Sequence, residues 1–490
     1  MSVHVAVDLG AASGRVVVGR VTGGRLTTTE VARFPNGPVS VPVGERATLH
    51  WDVLRLWSEV LGALRTAARE HGPLTSVGID SWAVDHGLLD RDGALLANPV
   101  HYRDSRTEGV PEEVFTHLTP EWLHARTGLQ VLPFNTVFQL VAAAGTAQLD
   151  AAHRMLLVPD LLGHWLSGES VTEVTNASTT GLLDATSRQW SDDVTSELAA
   201  HYGLDVARLL TPLVEPGTVV GRVRPTHGVG EAALVAVGSH DTASAVAAVP
   251  ATEQDVAYIS SGTWSLVGLE LPAPVLTEAS RRANFTNELG VGGTVRFLRN
   301  VTGLWILQEC LRTWAEEGRA TPLADLLAAA AQEPPLERVV DVDDPVLGRP
   351  GDMPGRLARA LDASGQRAPR TAGGLVRCVL DSLALAYRRT LRQAAELSGR
   401  DPRVVHVVGG GARNELLCQL TADATGLTVL AGPAEATAAG NLLVQAQATG
   451  ALDPGLASLR AVVAASAPTR RYEPRGPASR WNAAEQRLWA

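Results

Sequence analysis

A strand–turn–strand pattern occurs twice in the chain, and this repeat limits the folds that the chain can adopt. Residues 3–8 alternate valine with other side chains and predict a strand, residues 10–14 form a turn of small residues, and residues 15–21 predict a second strand. The pattern returns at residues 256–269, around the small polar turn at 260–263. The strand–turn–strand pattern therefore repeats near the midpoint of the chain, and we expect two related halves.

Helical and strand-like segments alternate between and after these units, which indicates an α/β fold. Residues 51–71 carry apolar side chains at helical spacing, and residues 77–79 predict a short buried strand. Near the C-terminus a β-branched run at 404–408 leads through three glycines into a predicted helix at 414–425, an arrangement typical of anion or nucleotide binding. Residues 320–368 are rich in Pro, Gly and Ala and give no clear prediction of secondary structure.

The basic residues exclude several mechanisms. All 42 residues counted as Lys plus Arg are arginines. A Walker A loop, a protein-kinase fold and Schiff-base chemistry each need a lysine amine, so the chain cannot use them. The net charge of -10 offers no basic surface for nucleic acid, and a small-molecule partner is the simpler expectation.

The cysteines and the N-terminus point to a reduced, cytoplasmic protein. Cys310, Cys378 and Cys418 are widely spaced and form no CxxC or Cys/His cluster, so neither a disulfide framework nor a zinc site is expected. The chain starts directly with a strand pattern, without the features of a secretory signal, and no apolar run is long enough to span a bilayer.

The two small-residue turns are candidate phosphate sites because their backbone N–H groups are bare. Phosphoryl transfer depends on the positioning of the phosphate groups more than on covalent catalysis. Asp8 ends the first strand beside the first turn, where its carboxylate could hold Mg²⁺ directly or through water. The alternatives are that both turns are ordinary hairpins and that Asp8 caps its turn.

A second group of polar residues follows the predicted strand at 234–237. Asp241 lies there before a small-residue helix and could take a proton from a substrate hydroxyl, although a lone Asp in this place is usually a helix N-cap. Its neighbour His240 could bind a sugar hydroxyl or be a structural residue. Asp80 and Asp85 flank Trp82 and could form a sugar-binding edge or merely lie in solvated turns.

Two amide residues are further candidates. Asn300 and Gln308 lie on either side of a helix-like stretch at 301–306, and their amides suit hydroxyls and purine edges.

Motifs along nearly the whole chain resemble one family, the FGGY carbohydrate kinases. The motifs are VDLGAASGR at 7–15, HWDVLRLW at 50–57, GIDSWAVD at 78–85, GLQVLPFNTVFQL at 128–140, LLVPDLLGHWLSGE at 156–169, TNASTTGLLDA at 175–185, SHDTASAV at 239–246, SSGTWSLVG at 260–268, FLRNVTGLWILQ at 297–308 and VVGGGARNELLCQLTADATG at 407–426.

The resemblance implies an actin-like (ribonuclease H-like) α/β fold of two domains with ATP in a cleft between them. It places an N-terminal sugar kinase domain at 1–245, a C-terminal, nucleotide-side domain at 246–470, and a tail at 471–490. The implied ATP contacts are Ala11, Ala12, Ser13, Gly14, Arg15, Thr263, Gln308 and Gly410. The implied sugar contacts are Ala83, His240, Asp241, Thr242 and Asn300.

Within this family the resemblance implies Mg²⁺-dependent transfer from ATP to the C1 hydroxyl of L-rhamnulose, with Asp241 as proton acceptor and Asp8 helping to hold Mg²⁺. Kinases of L-fuculose or xylulose, and a noncatalytic ATP-dependent sensor on the same fold, are the alternatives. Ala83 departs from the family pattern, which usually has Gly there, and adds a methyl where backbone should approach the ligand. A monomer or small homo-oligomer without a membrane partner is expected.

Overall fold

The chain forms two compact units, each assembled from separate segments. The computed structural model describes residues 2–44, 46–251 and 255–489. The first unit consists of Met1–Thr252, Leu271–Phe297 and Ala436–Ser466. The second consists of Glu253–Glu270, Leu298–Glu435 and Ala467–Ala490. The simpler division of the sequence at residues 245 and 470 stays a prediction.

The described residues form nineteen strands, with the following bounds: β1 His4–Leu9, β2 Ser13–Thr22, β3 Arg25–Pro35, β4 Pro38–Val43, β5 Arg46–Trp51, β6 Ser76–Ser81, β7 His86–Leu89, β8 Arg154–Leu157, β9 Thr172–Glu173, β10 Leu213–Val214, β11 Val219–Arg222, β12 Ala233–Val235, β13 Ala257–Ser261, β14 Trp264–Leu271, β15 Thr286–Leu289, β16 Val295–Thr302, β17 Val404–Val408, β18 Thr428–Ala431 and β19 Arg470–Tyr472.

The α-helices of the described residues have these bounds: α1 Val53–His71, α2 Val110–Val114, α3 Pro120–Thr127, α4 Thr136–Ala142, α5 Ala147–Ala151, α6 Val158–Ser167, α7 Val174–Ala177, α8 Asp192–Tyr202, α9 Asp241–Ala247, α10 Glu278–Arg282, α11 Trp305–Glu316, α12 Leu323–Gln332, α13 Met353–Ala363, α14 Ala372–Ser398, α15 Glu415–Thr425, α16 Ala436–Ala448, α17 Leu456–Ser466 and α18 Ser479–Trp489.

The main sheet of the first unit has the strand order β11-β12-β6-β1-β2-β3. β1 runs parallel to β6, and β6 runs parallel to β12, whereas β1, β2 and β3 form an antiparallel meander. Every residue of β1 is buried, as expected for a central strand that is covered on both faces. One face packs with α1 and α6 around Trp51, Leu56 and Leu161, which are fully buried. The other face carries α16, whose Leu442 packs against Ala6.

The main sheet of the second unit repeats this plan. β13 and β14 form an antiparallel hairpin, and β17 runs parallel to β13 on the opposite side. β18 continues the parallel pairing, and β19 closes that edge antiparallel. The hairpin with a parallel neighbour thus occurs once in each unit, which confirms the α/β fold and the internal repeat expected from the sequence.

One sequence prediction needs correction. The stretch at 301–306 is not one helical segment, because the β-branched Val301 and Thr302 continue β16, Gly303 breaks the strand, and α11 begins at Trp305. Residues 320–368, whose secondary structure was not predicted, contain α12 and α13. Each of these helices buries one narrow face, Leu326 and Ala330 in α12 and Met353, Leu357 and Leu361 in α13.

No helix among the described residues is long and apolar enough to cross a membrane.

Candidate active site

Three carboxylates meet at one edge of the first unit's sheet. Asp8 and Asp80 are register neighbours at the ends of the parallel strands β1 and β6. Ser81 forms a parallel bridge with His240, and its N–H donates to Ser239 O at 2.9 Å, which brings the start of α9 to the same edge. Asp241 is the first residue of α9. Parallel strands that end at one edge therefore place Asp8, Asp80 and Asp241 within electrostatic range of one another.

Asp241 does not cap its helix. The N-cap residue of α9 is His240, and the Asp241 carboxylate instead accepts a hydrogen bond from the Thr242 hydroxyl at 3.1 Å. Burial raises the pKa of Asp241. The electrostatic effect of His240 lowers this pKa, and the negative charge of Asp8 raises it. The side chain is still 28% exposed, so a substrate can reach it. A partly accessible carboxylate with a raised pKa is suited to accept a proton.

Asp80 is fully buried in β6, so the alternative that it lies in a solvated turn is wrong. Burial and the neighbouring Asp8 raise the pKa of Asp80 well above its usual range. Its Oδ2 accepts from Asn441 Nδ2 of α16 at 2.5 Å. Among the described residues its Oδ1 has no hydrogen-bond partner. One buried oxygen is therefore left for a group that this structure does not contain.

Asp85 is also buried, and it anchors the turn that carries Ala83. Its carboxylate accepts from the indole N–H groups of Trp51 at 2.5 Å and Trp82 at 3.0 Å, and from Gln139 Nε2 at 2.9 Å. Burial raises its pKa to about 6. Asp85 is thus a buried structural anchor, and the alternative that it lies in a solvated turn is wrong.

The backbone of the Ala83 turn is strained. The Asp85 N–H donates to Ala83 O at 2.9 Å, and Val84 between them has a φ of 66°. A β-branched residue is rarely found in this left-handed region, and such strain persists only where surrounding contacts enforce it. The anchored Asp85 supplies those contacts and fixes the position of Ala83.

The turn between β1 and β2 keeps its backbone accessible. Gly10 N–H donates to Ser13 O at 2.9 Å, and the Asn36 amide donates to Gly10 O at 2.9 Å, which fixes the turn from behind. Ala12 is exposed at its tip. Gly14 is required because a Cβ there would overlap the ring of Phe34. The turn that was expected to contact ATP is therefore ordered and open.

Asp8 is paired with Arg15 across this hairpin. Arg15 Nε and Nη2 both donate to Asp8 Oδ2, at 2.9 and 2.6 Å. The alternative that Asp8 caps the turn is not what the structure shows. Within the described residues there is no group of three or more His, Cys, Asp or Glu arranged to hold a metal ion.

The loop that carries His240 is held on two sides. On one side the buried Glu173 accepts from the Ser239 N–H at 3.0 Å and from its hydroxyl at 2.7 Å. On the other side His240 Nδ1 lies 3.3 Å from Glu288 Oε2 and 3.1 Å from Arg296 Nη2. Glu173, Glu288 and Arg296 were not predicted from the sequence. The strands β15 and β16, which carry the last two, contain other polar residues as well, so these two charges do not stand out in the sequence.

The second unit brings its predicted nucleotide residues together around the β13–β14 turn. The Trp305 N–H donates to Thr263 O at 3.0 Å, and the Thr263 hydroxyl donates to Gln308 Oε1 at 3.4 Å. The glycine loop after β17 packs on Ser261, since a Cβ on Gly411 would overlap its hydroxyl, whereas Gly410 faces open space. Thr263, Gln308 and the Gly410 loop thus form one cluster.

The remaining predicted contact, Asn300, also belongs to the second unit. It lies on β16, the strand beside β14, and not at the end of a helix.

Comparisons with known proteins show the family of the chain. Residues 3–248 match the N-terminal domain of the FGGY family of carbohydrate kinases, and residues 257–449 match its C-terminal domain. Among curated proteins, the chain is 40% identical to a rhamnulokinase of Bacteroides thetaiotaomicron, over 98% of this chain and 97% of that one. It is 41% identical to a rhamnulokinase of Enterococcus faecalis, over 96% and 94%.

Solved structures show the same fold at low sequence identity. A ligand-bound xylulose kinase from Lactobacillus acidophilus superposes with a TM-score of 0.78 at 14% identity, over 99% of this chain and 96% of that one. A Plasmodium falciparum glycerol kinase with ADP gives a TM-score of 0.77 at 14% identity, over 100% and 99%. The fold is the actin-like one that the motifs implied. Both halves of the chain match, and the chain belongs to the FGGY family of carbohydrate kinases.

Proposed function

We propose that this carbohydrate kinase transfers the γ-phosphoryl group of ATP to the C1 hydroxyl of L-rhamnulose and releases L-rhamnulose 1-phosphate and ADP. The observation that carries the proposal is the full-length likeness to curated rhamnulokinases at about 40% identity, together with an accessible Asp241 at the convergence of the strand ends.

In the proposed reaction Asp241 accepts the proton of the C1 hydroxyl. The bond from that oxygen to the γ-phosphorus forms while the bond from the γ-phosphorus to the β,γ-bridging oxygen breaks, and ADP leaves. The raised pKa of Asp241 makes it a stronger base than an ordinary aspartate, provided that the pH is high enough to keep it ionised. His240 and Thr242, on either side of Asp241, together with Ala83 and Asn300, are the proposed sugar contacts.

The proposed phosphate contacts are backbone groups. The turn at residues 11–15 offers N–H groups at the tip of its hairpin, and Thr263 and Gly410 do the same in the second unit. Arg15 adds a fixed positive charge, which compensates for the absence of lysine. Gln308 is the proposed polar contact to the remainder of the nucleotide.

Asp8 and Asp80 suit the Mg²⁺ that accompanies ATP. Mg²⁺ binds through one or two carboxylates and retains several waters and phosphate oxygens, so it does not need a cage of protein ligands. Asp80 has a buried oxygen without a partner among the described residues, and Asp8 neighbours it in register. The ion would neutralise charge on the transferring phosphoryl group.

A substrate panel tests the proposal. ADP formation with ATP-Mg²⁺ is followed by a coupled assay in the presence of L-rhamnulose, L-fuculose, L-xylulose, D-xylulose or glycerol, and without sugar. We expect the highest kcat/KM with L-rhamnulose. Preference for another sugar would identify a different substrate for this carbohydrate kinase. ATP consumption that does not depend on any sugar would contradict kinase function.

A further inference from the structure

We propose that Glu288 and Arg296 are positioning residues for phosphoryl transfer and that they act by fixing the imidazole of His240 against Asp241. This inference rests on the proposed function, because it takes Asp241 as the base.

The two ring nitrogens of His240 face different partners. Nδ1 lies 3.3 Å from Glu288 Oε2 and 3.1 Å from Arg296 Nη2, and these two side chains are themselves paired at 3.1 Å. Nε2 lies 3.5 Å from Asp241 Oδ1. The imidazole therefore connects a buried ion pair to the proposed base.

The ion pair of Glu288 and Arg296 is costly to bury. The Arg296 side chain is 0% exposed and that of Glu288 is 6% exposed. Removing two charges from water costs several kcal/mol, and well-packed apolar side chains would often be as stable in their place. Burial opposes the ionisation of Glu288, but Arg296 and His240 outweigh it and lower the pKa of this carboxyl. The pair is thus held in its charged form.

The Nδ1 side of the His240 ring is held by two charged groups. Glu288 Oε2 lies 3.3 Å and Arg296 Nη2 lies 3.1 Å from Nδ1, so the ring is fixed with Nε2 directed at Asp241 Oδ1. In this orientation an Nε2–H group points at the carboxylate that accepts the substrate proton and stabilises its charged form. Arg296 is oriented in turn by donating from Nε to Leu289 O at 3.1 Å.

The backbone of this loop is held independently of the ion pair. Glu173 accepts from Ser239, and the His240 N–H donates to the Thr175 hydroxyl at 3.3 Å. Loss of Glu288 or Arg296 should therefore release the imidazole without displacing the main chain. The effect on catalysis can then be separated from an effect on folding.

The test is a double-mutant cycle between Glu288 and His240 in the full chain. Steady-state rates with L-rhamnulose and ATP-Mg²⁺ are measured for wild type, E288Q, H240A and H240A/E288Q. We expect E288Q to lower kcat with L-rhamnulose about tenfold and to leave the KM for ATP unchanged. We expect H240A/E288Q to be no slower than H240A, because Glu288 acts through the ring.

Two further variants control for folding. E288Q/R296M removes both charges, so it avoids an unpaired buried charge, and we expect it to melt close to wild type but to retain the loss in kcat. D381N is the matched control, because it disrupts the buried ion pair of Arg377 and Asp381 in α14, which is outside the proposed site. D381N should keep the wild-type kcat even if its melting temperature falls.

The inference would be overturned if E288Q had the wild-type kcat. It would also be overturned if the E288Q substitution lowered kcat by the same factor in H240A as in wild type. If the wild-type enzyme shows no ADP formation that depends on L-rhamnulose, the proposed function has failed, and a sugar that does support turnover replaces it in the cycle.

Discussion

At the scale of single residues, the account depends on Asp241. We expect Asp241→Asn to lower kcat by roughly 10²–10⁴ because the amide cannot accept the proton, which is the usual contribution of a general base. The substitution conserves shape, so the sugar should still bind with nearly unchanged Kd. A coupled ADP assay measures the first effect and isothermal titration calorimetry the second. Near-normal turnover would show that another group is the base.

Asp85 makes a second residue-scale prediction, on stability. Its pKa is raised to about 6 in the folded protein from an ordinary value of 3.8. The folded state therefore binds the proton more tightly than the unfolded state, and the associated stability is complete below about pH 4 and lost as the pH rises through 6. The loss is about 3 kcal/mol, from roughly two pKa units at 1.36 kcal/mol each.

Asp85→Asn tests this prediction because it removes the titrating group. Urea unfolding at several pH values should show the free energy of unfolding of wild type falling relative to that of the variant between pH 4 and 6. The exposed turn variant Asp92→Asn serves as control, and its offset from wild type should stay constant. A constant offset for Asp85→Asn as well would mean that Asp85 does not titrate in this range.

At the scale of elements, the packing of α16 on α9 sets the position of the base. Gly440 of α16 meets the backbone of α9, where a Cβ would overlap Ser244 O. Gly440→Ala should therefore displace α9, lower stability by about 1–3 kcal/mol and reduce kcat, because Asp241 begins that helix. Thermal unfolding and the coupled assay measure both effects.

Gly62 provides the matched control. It lies inside α1, where an added Cβ meets nothing within 4 Å. Gly62→Ala should raise stability by about 0.5–1 kcal/mol through helix propensity and leave kcat unchanged. If Gly440→Ala behaved like Gly62→Ala, the packing of α16 would not position Asp241.

At the scale of the whole molecule, the sequence predicts what is local and repeated. The two hairpins and their small-residue turns are visible because strand alternation and glycine turns are short-range signals. Asp8 and Asp241 could be selected because they end or follow strands. The family motifs then supplied the remaining candidate residues, including Ala83 and Asn300.

What the sequence did not predict depends on contacts between distant segments. The role proposed for Glu288 and Arg296 depends on the contact of β15 and β16 with His240. The structural role of Asp85 depends on its hydrogen bonds with Trp51 and Gln139. Burial of a charge cannot be read from spacing when a partner lies tens of residues away, as His240 does from Glu288 and Arg296. The strand position of Asn300 was missed because residues 301–306 were predicted as one helical segment, although Val301 and Thr302 are β-branched and continue β16.

The position of the phosphate on the product decides whether this chain is a kinase of the L-rhamnulose C1 hydroxyl. Purified enzyme is incubated with L-rhamnulose and ATP-Mg²⁺, and the product is examined by ¹H–³¹P correlation NMR. The account predicts one phosphate monoester whose phosphorus couples to the two C1 methylene protons, with one ADP formed per ester. Coupling to a proton at any other carbon, or ADP without a sugar ester, would contradict it.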